Sequence, residues 1–243
     1  MKKTIAIIPA RGGSTDIPHK NIRPFLGKPL LAWTVDSART NNFVDRIVVS
    51  TDDEEIRRVA LASGAEAPFL RPSSLATKNS STSDVVKHAV DWLQKNDNYF
   101  AEVVLVLEPT SPGRQSEHIT QAIELYSKLG ADSIASISAV PHHYYYEKQL
   151  ILTQDSRLVG ITGVHPKDMV HRRQDIPPSY AFDGILFSCR TKVLYGNPTS
   201  LWGDDIRGFQ VDACYVSDLD VLDDWTPAEN KLRPILLGNS TTD

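Results

Sequence analysis

The chain has 243 residues, 41% of them hydrophobic and 23% charged, which suits one α/β domain with an ordinary core. Its net charge of −4 argues against a general nucleic-acid binder, which would carry a basic surface. No apolar run approaches the ~20 residues of a membrane span. The apolar stretch after Met1-Lys2-Lys3 stops at Pro9, too soon for a signal peptide. The expectation is a cytoplasmic protein with neither a nucleic-acid nor a membrane partner. Cys189 and Cys214 show no metal spacing and are expected to be reduced, buried thiols.

Strand-like and helix-like patterns alternate from the start, the signature of a mostly parallel sheet with helices on its faces. Thr4–Pro9 reads as a buried strand, and 29–40 as a helix with Pro29 in its first turn. A strand over 46–50 leads to a helix over 54–63, capped by Asp52 or Asp53 and ended by Gly64. A loop over 68–81 precedes a helix over 82–94. Residues 103–107 are the strongest central-strand candidate, followed by a helix to about Leu129 and a strand near 133–137. Residues 140–182, rich in His, Tyr and Pro, break the alternation and read as an inserted excursion within a single domain spanning 1–243. Strands over 184–189 and ending near Val216, then a helix from Asp220 to Leu237, complete the pattern.

In open α/β sheets, ligands sit beyond the carboxyl ends of the strands. The first strand delivers Ala10-Arg11-Gly12-Gly13-Ser14, with Lys20 and Asn21 shortly after. Glycines let a backbone approach an anion closely, and Arg and Lys neutralise its charge. The spacing is neither that of a Walker loop nor that of a dinucleotide-binding loop. It reads as a phosphate cradle of another kind. The central strand delivers Glu108-Pro109-Thr110-Ser111, and the late strand Asp218-x-Asp220. Period-2 spacing points both aspartates to one side of an extended segment. Such a pair beside a phosphate loop suits Mg²⁺, which prefers oxygen ligands and bridges phosphates; helix capping by one aspartate and solvation of the other stays open. Arg71 and Arg114 are ambiguous by themselves. His142, His143, His165 and His171 match no metal pattern.

Taken together, these residues resemble the acylneuraminate cytidylyltransferase (CMP-sialic acid synthetase) family. The resemblance runs nearly end to end. It rests on Pro9-Ala10-Arg11-Gly12-Gly13-Ser14, Ile17-Pro18-x-Lys20-Asn21, Gly27-Lys28-Pro29-Leu30-Leu31-Ala32-Trp33 and Val48-Val49-Ser50-Thr51-Asp52. Leu70-Arg71-Pro72 with Leu75-Ala76, Pro109-Thr110-Ser111-Pro112-x-Arg114 and Asp218-x-Asp220 with Ala228-Glu229 follow in the same order. The resemblance implies a Rossmann-like fold whose insertion at 140–182 makes a homodimer. It implies transfer of CMP from CTP to the anomeric hydroxyl of a 2-keto-3-deoxy acid sugar, with release of pyrophosphate. Residues Ala10 to Ser14, Lys20 and Asn21 would hold the nucleotide, Arg11 and Lys20 at its phosphates. Arg71 and Thr82 would read the cytosine, and Asp218 and Asp220 would hold Mg²⁺. Glu108, Thr110, Ser111, Arg173 and Asp183 would lie on the sugar side.

The departures from the family pattern are specific. Thr15-Asp16 stands where the family carries Lys-Gly, so a cation has gone and a carboxylate has arrived. Loss of one aimed charge stabiliser typically costs about 3–4 kcal/mol; Lys78 is a substitute by residue type. Glu108 replaces a Gln, Asp183 an Asn, and Ala181 a common Arg. A more acidic pocket would disfavour an ordinary anionic sialic acid and favour an amino-bearing or otherwise modified acceptor. Two further readings stay open: a relative that binds but no longer turns over, and the same transfer from another nucleoside triphosphate.

Overall fold

A computed structural model describes residues 3–13, 16–169, 172–217 and 219–238, with only the backbone of Arg173. A six-stranded sheet forms the centre of the molecule. Its strands in chain order are β1 (Thr4–Pro9), β2 (Arg46–Ser50), β3 (Val103–Val106), β4 (Ser133–Ala139), β5 (Tyr180–Arg190) and β6 (Ile206–Gln210). They lie in the order β6-β4-β5-β3-β1-β2. β1 runs parallel to both β2 and β3, and β5 is antiparallel to β3. The helices are α1 (Leu30–Arg39), α2 (Glu54–Ala62), α3 (Thr82–Asp97), α4 (Ser116–Leu129) and α5 (Trp225–Leu236).

The central strands β1 and β3 are buried on both faces, as strands of parallel sheets are, while the edge strand β6 is largely exposed. Successive residues of β1 alternate between two cores. Ala6 and Ile8 pack with Leu31 and Val35 of α1, Ile56 of α2 and Ile119 of α4. Ile5 and Ile7 pack with Val86, Ala89 and Leu93 of α3. A third cluster joins Ile17, Phe25, Leu30 and Trp33 to Leu219, Trp225 and Leu232. This cluster matters for the site, because Ile17 and Leu219 are fully buried anchors next to Asp16 and Asp220.

The chain divides into two compact units, 1–136 with 183–243, and Ile137–Phe182. The second unit holds short 3₁₀ turns and a hairpin of Leu150–Leu152 with Leu158–Gly160. Leu150, Ile151, Leu152 and Leu158 of that hairpin are exposed.

Three sequence expectations are corrected. No strand ends at Val216: β6 stops at Gln210, and Ala213–Tyr215 is a 3₁₀ turn. The last helix begins at Trp225, after a 3₁₀ turn at Leu222–Asp224, because the Asp224 carboxylate accepts from the amides of Asp220 and Val221 at 2.9 Å and closes that turn. Cys189 is buried, but Cys214 is exposed in its turn. The turn is closed locally: the Asp212 carboxylate accepts from the Cys214 amide at 2.8 Å, and the Tyr215 amide donates to the Asp212 carbonyl at 3.1 Å.

Candidate active site

The parallel strands β1, β2 and β3 send their carboxyl ends to one rim. β1 gives Arg11, β2 gives Asp52, and β3 gives Glu108. Neighbouring strands make neighbouring loops, and the first two are locked together. The amide of Gly12 donates to Asp52 Oδ1 at 3.0 Å. A Cβ on Gly12 would lie 2.8 Å from the Asp53 side chain, so this approach needs glycine. The ambiguity over the α2 cap is thereby resolved. Asp53 is the cap, accepting from the amides of Glu55 and Ile56, while Asp52 holds the loop after β1.

Beyond this rim lies a cleft of about 330 Å³. Arg11, Lys20, Asn21, Arg71, Thr82, Glu108, Thr110 and Asp220 all line it. Residues spread over more than two hundred positions of sequence thus meet at one place. Arg11, Lys20, Asn21 and Arg71 are held by specific contacts. Lys20 Nζ donates to the Leu219 carbonyl at 2.8 Å, which ties the loop after β1 to the segment carrying Asp220. Buried Asn21 donates from its Nδ2 to the Arg11 carbonyl at 2.9 Å, fixing the curl of the loop. Buried Arg71 spans from β2 to its own loop, donating to Ser50 Oγ at 3.2 Å, to the Ser50 carbonyl and to the Leu75 carbonyl at 3.3 Å. Burial lowers the Arg71 pKa, with Asp52 opposing and Arg11 adding to the shift.

Other expected site residues are placed differently. Ala10 is buried in the core, and neither Gly12 nor Gly13 is among the cleft residues. Ser111 is buried and donates to the Gly184 carbonyl at 2.7 Å, which makes it a strut. Asp183 accepts from Ser136 Oγ and, at 3.0 Å, from the Ile185 amide, and it too is outside the cleft lining. Ser14, Thr15, Asp218 and His171 lie outside the described residues, as does the side chain of Arg173. Arg114, ambiguous in sequence, is a buried scaffold residue. It donates to the Ile185 carbonyl at 2.5 Å, Thr34 Oγ1 at 3.1 Å and the Glu108 carbonyl at 2.9 Å. Burial lowers its pKa to about 9, so it stays charged at neutral pH.

Glu108 changes the charge argument made from the sequence. Burial raises its pKa, with Arg114 and Lys20 opposing and Asp220 adding to the shift. A carboxyl pushed toward its neutral form keeps a hydrogen-bond donor, as the amide of Gln does. The sign for stability follows from linkage. A raised folded pKa means that stability present below the ordinary value of 4.5 is lost as pH rises through the folded value. Glu108→Gln is therefore expected to match the parent protein in thermal unfolding below pH 4.5 and to exceed it at neutral pH. A Gln variant that is less stable at neutral pH would contradict this.

A second pocket, of about 300 Å³, adjoins the cleft and shares Thr82 and Glu108 with it. Leu201 and an edge-to-face pair, Phe187 and Trp202 with centroids 5.7 Å apart, form its apolar side. Sequence reasoning missed these residues, since an aromatic in a strand or loop reads as packing. It also missed Thr77 and Ser80, which line the main cleft beside Asp16.

Comparison with known proteins fits this geometry. A family model described as cytidylyltransferase matches residues 5–197. The chain belongs to the cytidylyltransferase family. Among curated relatives, it is 35% identical over 185 residues to a pseudaminic acid cytidylyltransferase of Campylobacter jejuni, covering 76% of this chain and 77% of the relative. It is 43% identical over 141 residues to a CMP-N,N'-diacetyllegionaminic acid synthase of Legionella pneumophila, covering 57% of this chain and 59% of that protein. Among solved structures, a CMP:2-keto-3-deoxy-manno-octonic acid synthetase complexed with CTP superimposes with a TM-score of 0.71 at 16% identity, covering 96% of this chain and all of that one. The cytidylyltransferase fold is thus a Rossmann-like, mostly parallel sheet flanked by helices. No helix among the described residues is long and apolar enough to cross a membrane.

Proposed function

We propose that this cytidylyltransferase transfers CMP from CTP to the anomeric hydroxyl of a nonulosonic-type 2-keto-3-deoxy acid sugar. The observation that carries the reading is the gathering of Arg11, Lys20, Arg71 and Asp220 in one cleft at the carboxyl ends of parallel strands. The acceptor hydroxyl oxygen forms a bond to the α-phosphorus and releases its proton to solvent, the bond to the bridging oxygen breaks, and pyrophosphate leaves with that electron pair. Arg11 and Lys20 stabilise the charge on the leaving group. Arg71, Thr82 and Asn21 hold the nucleotide. Glu108 and Thr110 face the acceptor, whose apolar substituents fit against Phe187 and Trp202 in the adjoining pocket.

Asp220 offers a carboxylate in this cleft, which suits an ion that takes one or two carboxylates and completes its shell with phosphates and water. Asp220, with Asp218, would hold Mg²⁺, which supplies charge neutralisation for the triphosphate. The protein is proposed to work in the cytoplasm as a homodimer. The exposed Leu150, Ile151, Leu152 and Leu158 support an association surface, since soluble monomers rarely expose large contiguous apolar patches.

The test is pyrophosphate release with Mg²⁺ across CTP, UTP, GTP and ATP, each paired with pseudaminic, legionaminic and N-acetylneuraminic acids. Release from CTP with at least one of these sugars is expected. Silence with CTP and every sugar, or a preference for another nucleotide, would overturn the proposal.

A further inference from the structure

Residues Thr77 to Ser80 close a β-turn, in which the Ser80 amide donates to the Thr77 carbonyl at 3.3 Å. Ser80 Oγ accepts from the Thr77 amide at 3.1 Å and donates to the Ser74 carbonyl at 3.3 Å. The turn is tied to the loop after β1, because Arg11 Nη1 donates to the Thr77 carbonyl at 3.3 Å. Lys78 sits at the tip of this turn, exposed, and is among the residues that line the cleft.

The cleft holds four basic side chains, Arg11, Lys20, Arg71 and Lys78, and three acidic ones, Asp16, Glu108 and Asp220. Three of the cations already bind backbone carbonyls: Arg11 that of Thr77, Lys20 that of Leu219, and Arg71 those of Ser50 and Leu75. Lys78 has no polar partner among the described residues. The loop after β1 also places Asp16 in the cleft. An uncommitted ammonium on a pinned turn is well suited to an anion whose position shifts during reaction. A Lys ammonium is a compact charge with three donors on a flexible stem.

We infer that Lys78 is a catalytic residue that binds the β- and γ-phosphates of the nucleotide and stabilises the departing pyrophosphate. As the bond between the α-phosphorus and the bridging oxygen breaks, the electron pair moves to that oxygen. The Lys78 ammonium donates hydrogen bonds to the growing charge without giving up its proton. This inference rests on the reading of the cleft as a CTP site.

The experiment compares the full-length parent protein with Lys78→Ala and Lys78→Arg. Calorimetry with Mg²⁺ measures the affinities for CTP and for CMP, and steady-state assays measure kcat. For Lys78→Ala, CTP affinity is expected to fall about tenfold, while CMP affinity stays within about twofold. Its kcat is expected to fall on the order of 10²-fold, with much of the loss recovered in Lys78→Arg. Unchanged CTP affinity and kcat in Lys78→Ala would overturn the inference and leave the CTP reading intact. An equal loss for CMP and CTP would also overturn it, as the mark of a turn that only supports the cleft. A parent protein that does not bind CTP would overturn both.

Discussion

Lys20→Ala is expected to lower kcat/KM for pyrophosphate release from CTP by roughly 10²–10³-fold, the loss typical when one aimed charge stabiliser is removed. Two effects combine. The cleft loses a cation, and the 2.8 Å bond from Nζ to the Leu219 carbonyl is broken. That bond joins the loop after β1 to the segment that presents Asp220, so its loss also loosens the placement of a carboxylate proposed for Mg²⁺. Stability should change little by comparison, because Ile17 and Leu219 stay anchored in the cluster with Trp33 and Trp225. Steady-state kinetics beside thermal unfolding separates the two effects. A loss below about fivefold, far short of the usual effect, would remove Lys20 from the machinery.

Arg114→Met carries the largest expected effect on stability. The substitution removes a buried charge and leaves the carbonyls of Ile185 and Glu108 without this donor. Removing one member of a buried charged network typically destabilises by about 3–5 kcal/mol. For a chain of this length that corresponds to a fall in Tm of roughly 10 °C. Glu108 also loses the cation that opposes its burial, so its pKa should move further up. Activity should fall as a consequence, since the Glu108 carbonyl is one of the points that Arg114 holds at the cleft edge. Thermal and urea unfolding measure the effect. A variant as stable as the parent would show that the network of Arg114 is dispensable.

Glu108 shows how residue type and residue environment can point different ways. In sequence it is an acid in place of an amide, and it argues for a changed acceptor. In the fold, desolvation pushes the carboxyl toward its neutral form, where it keeps the donor an amide would have. The apolar wall of Phe187, Leu201 and Trp202 is a second guide to the acceptor, beside charge.

The sequence by itself determined the alternation of strands and helices and the family motifs in order. These features are local: a buried run of apolar residues, a cap or a Gly-Gly turn is written in a few consecutive positions. Arg11, Lys20, Asn21, Arg71, Thr82, Glu108, Thr110 and Asp220 were legible for that reason, and the fold gathers them in one cleft. Only the tertiary structure decided that Ser111 and Arg114 brace the backbone and that Asp52 holds the loop after β1. It also decided that Lys78 shares a cleft with Arg11. Those outcomes depend on which distant groups desolvate or bond a side chain, and a one-dimensional spacing carries no record of them.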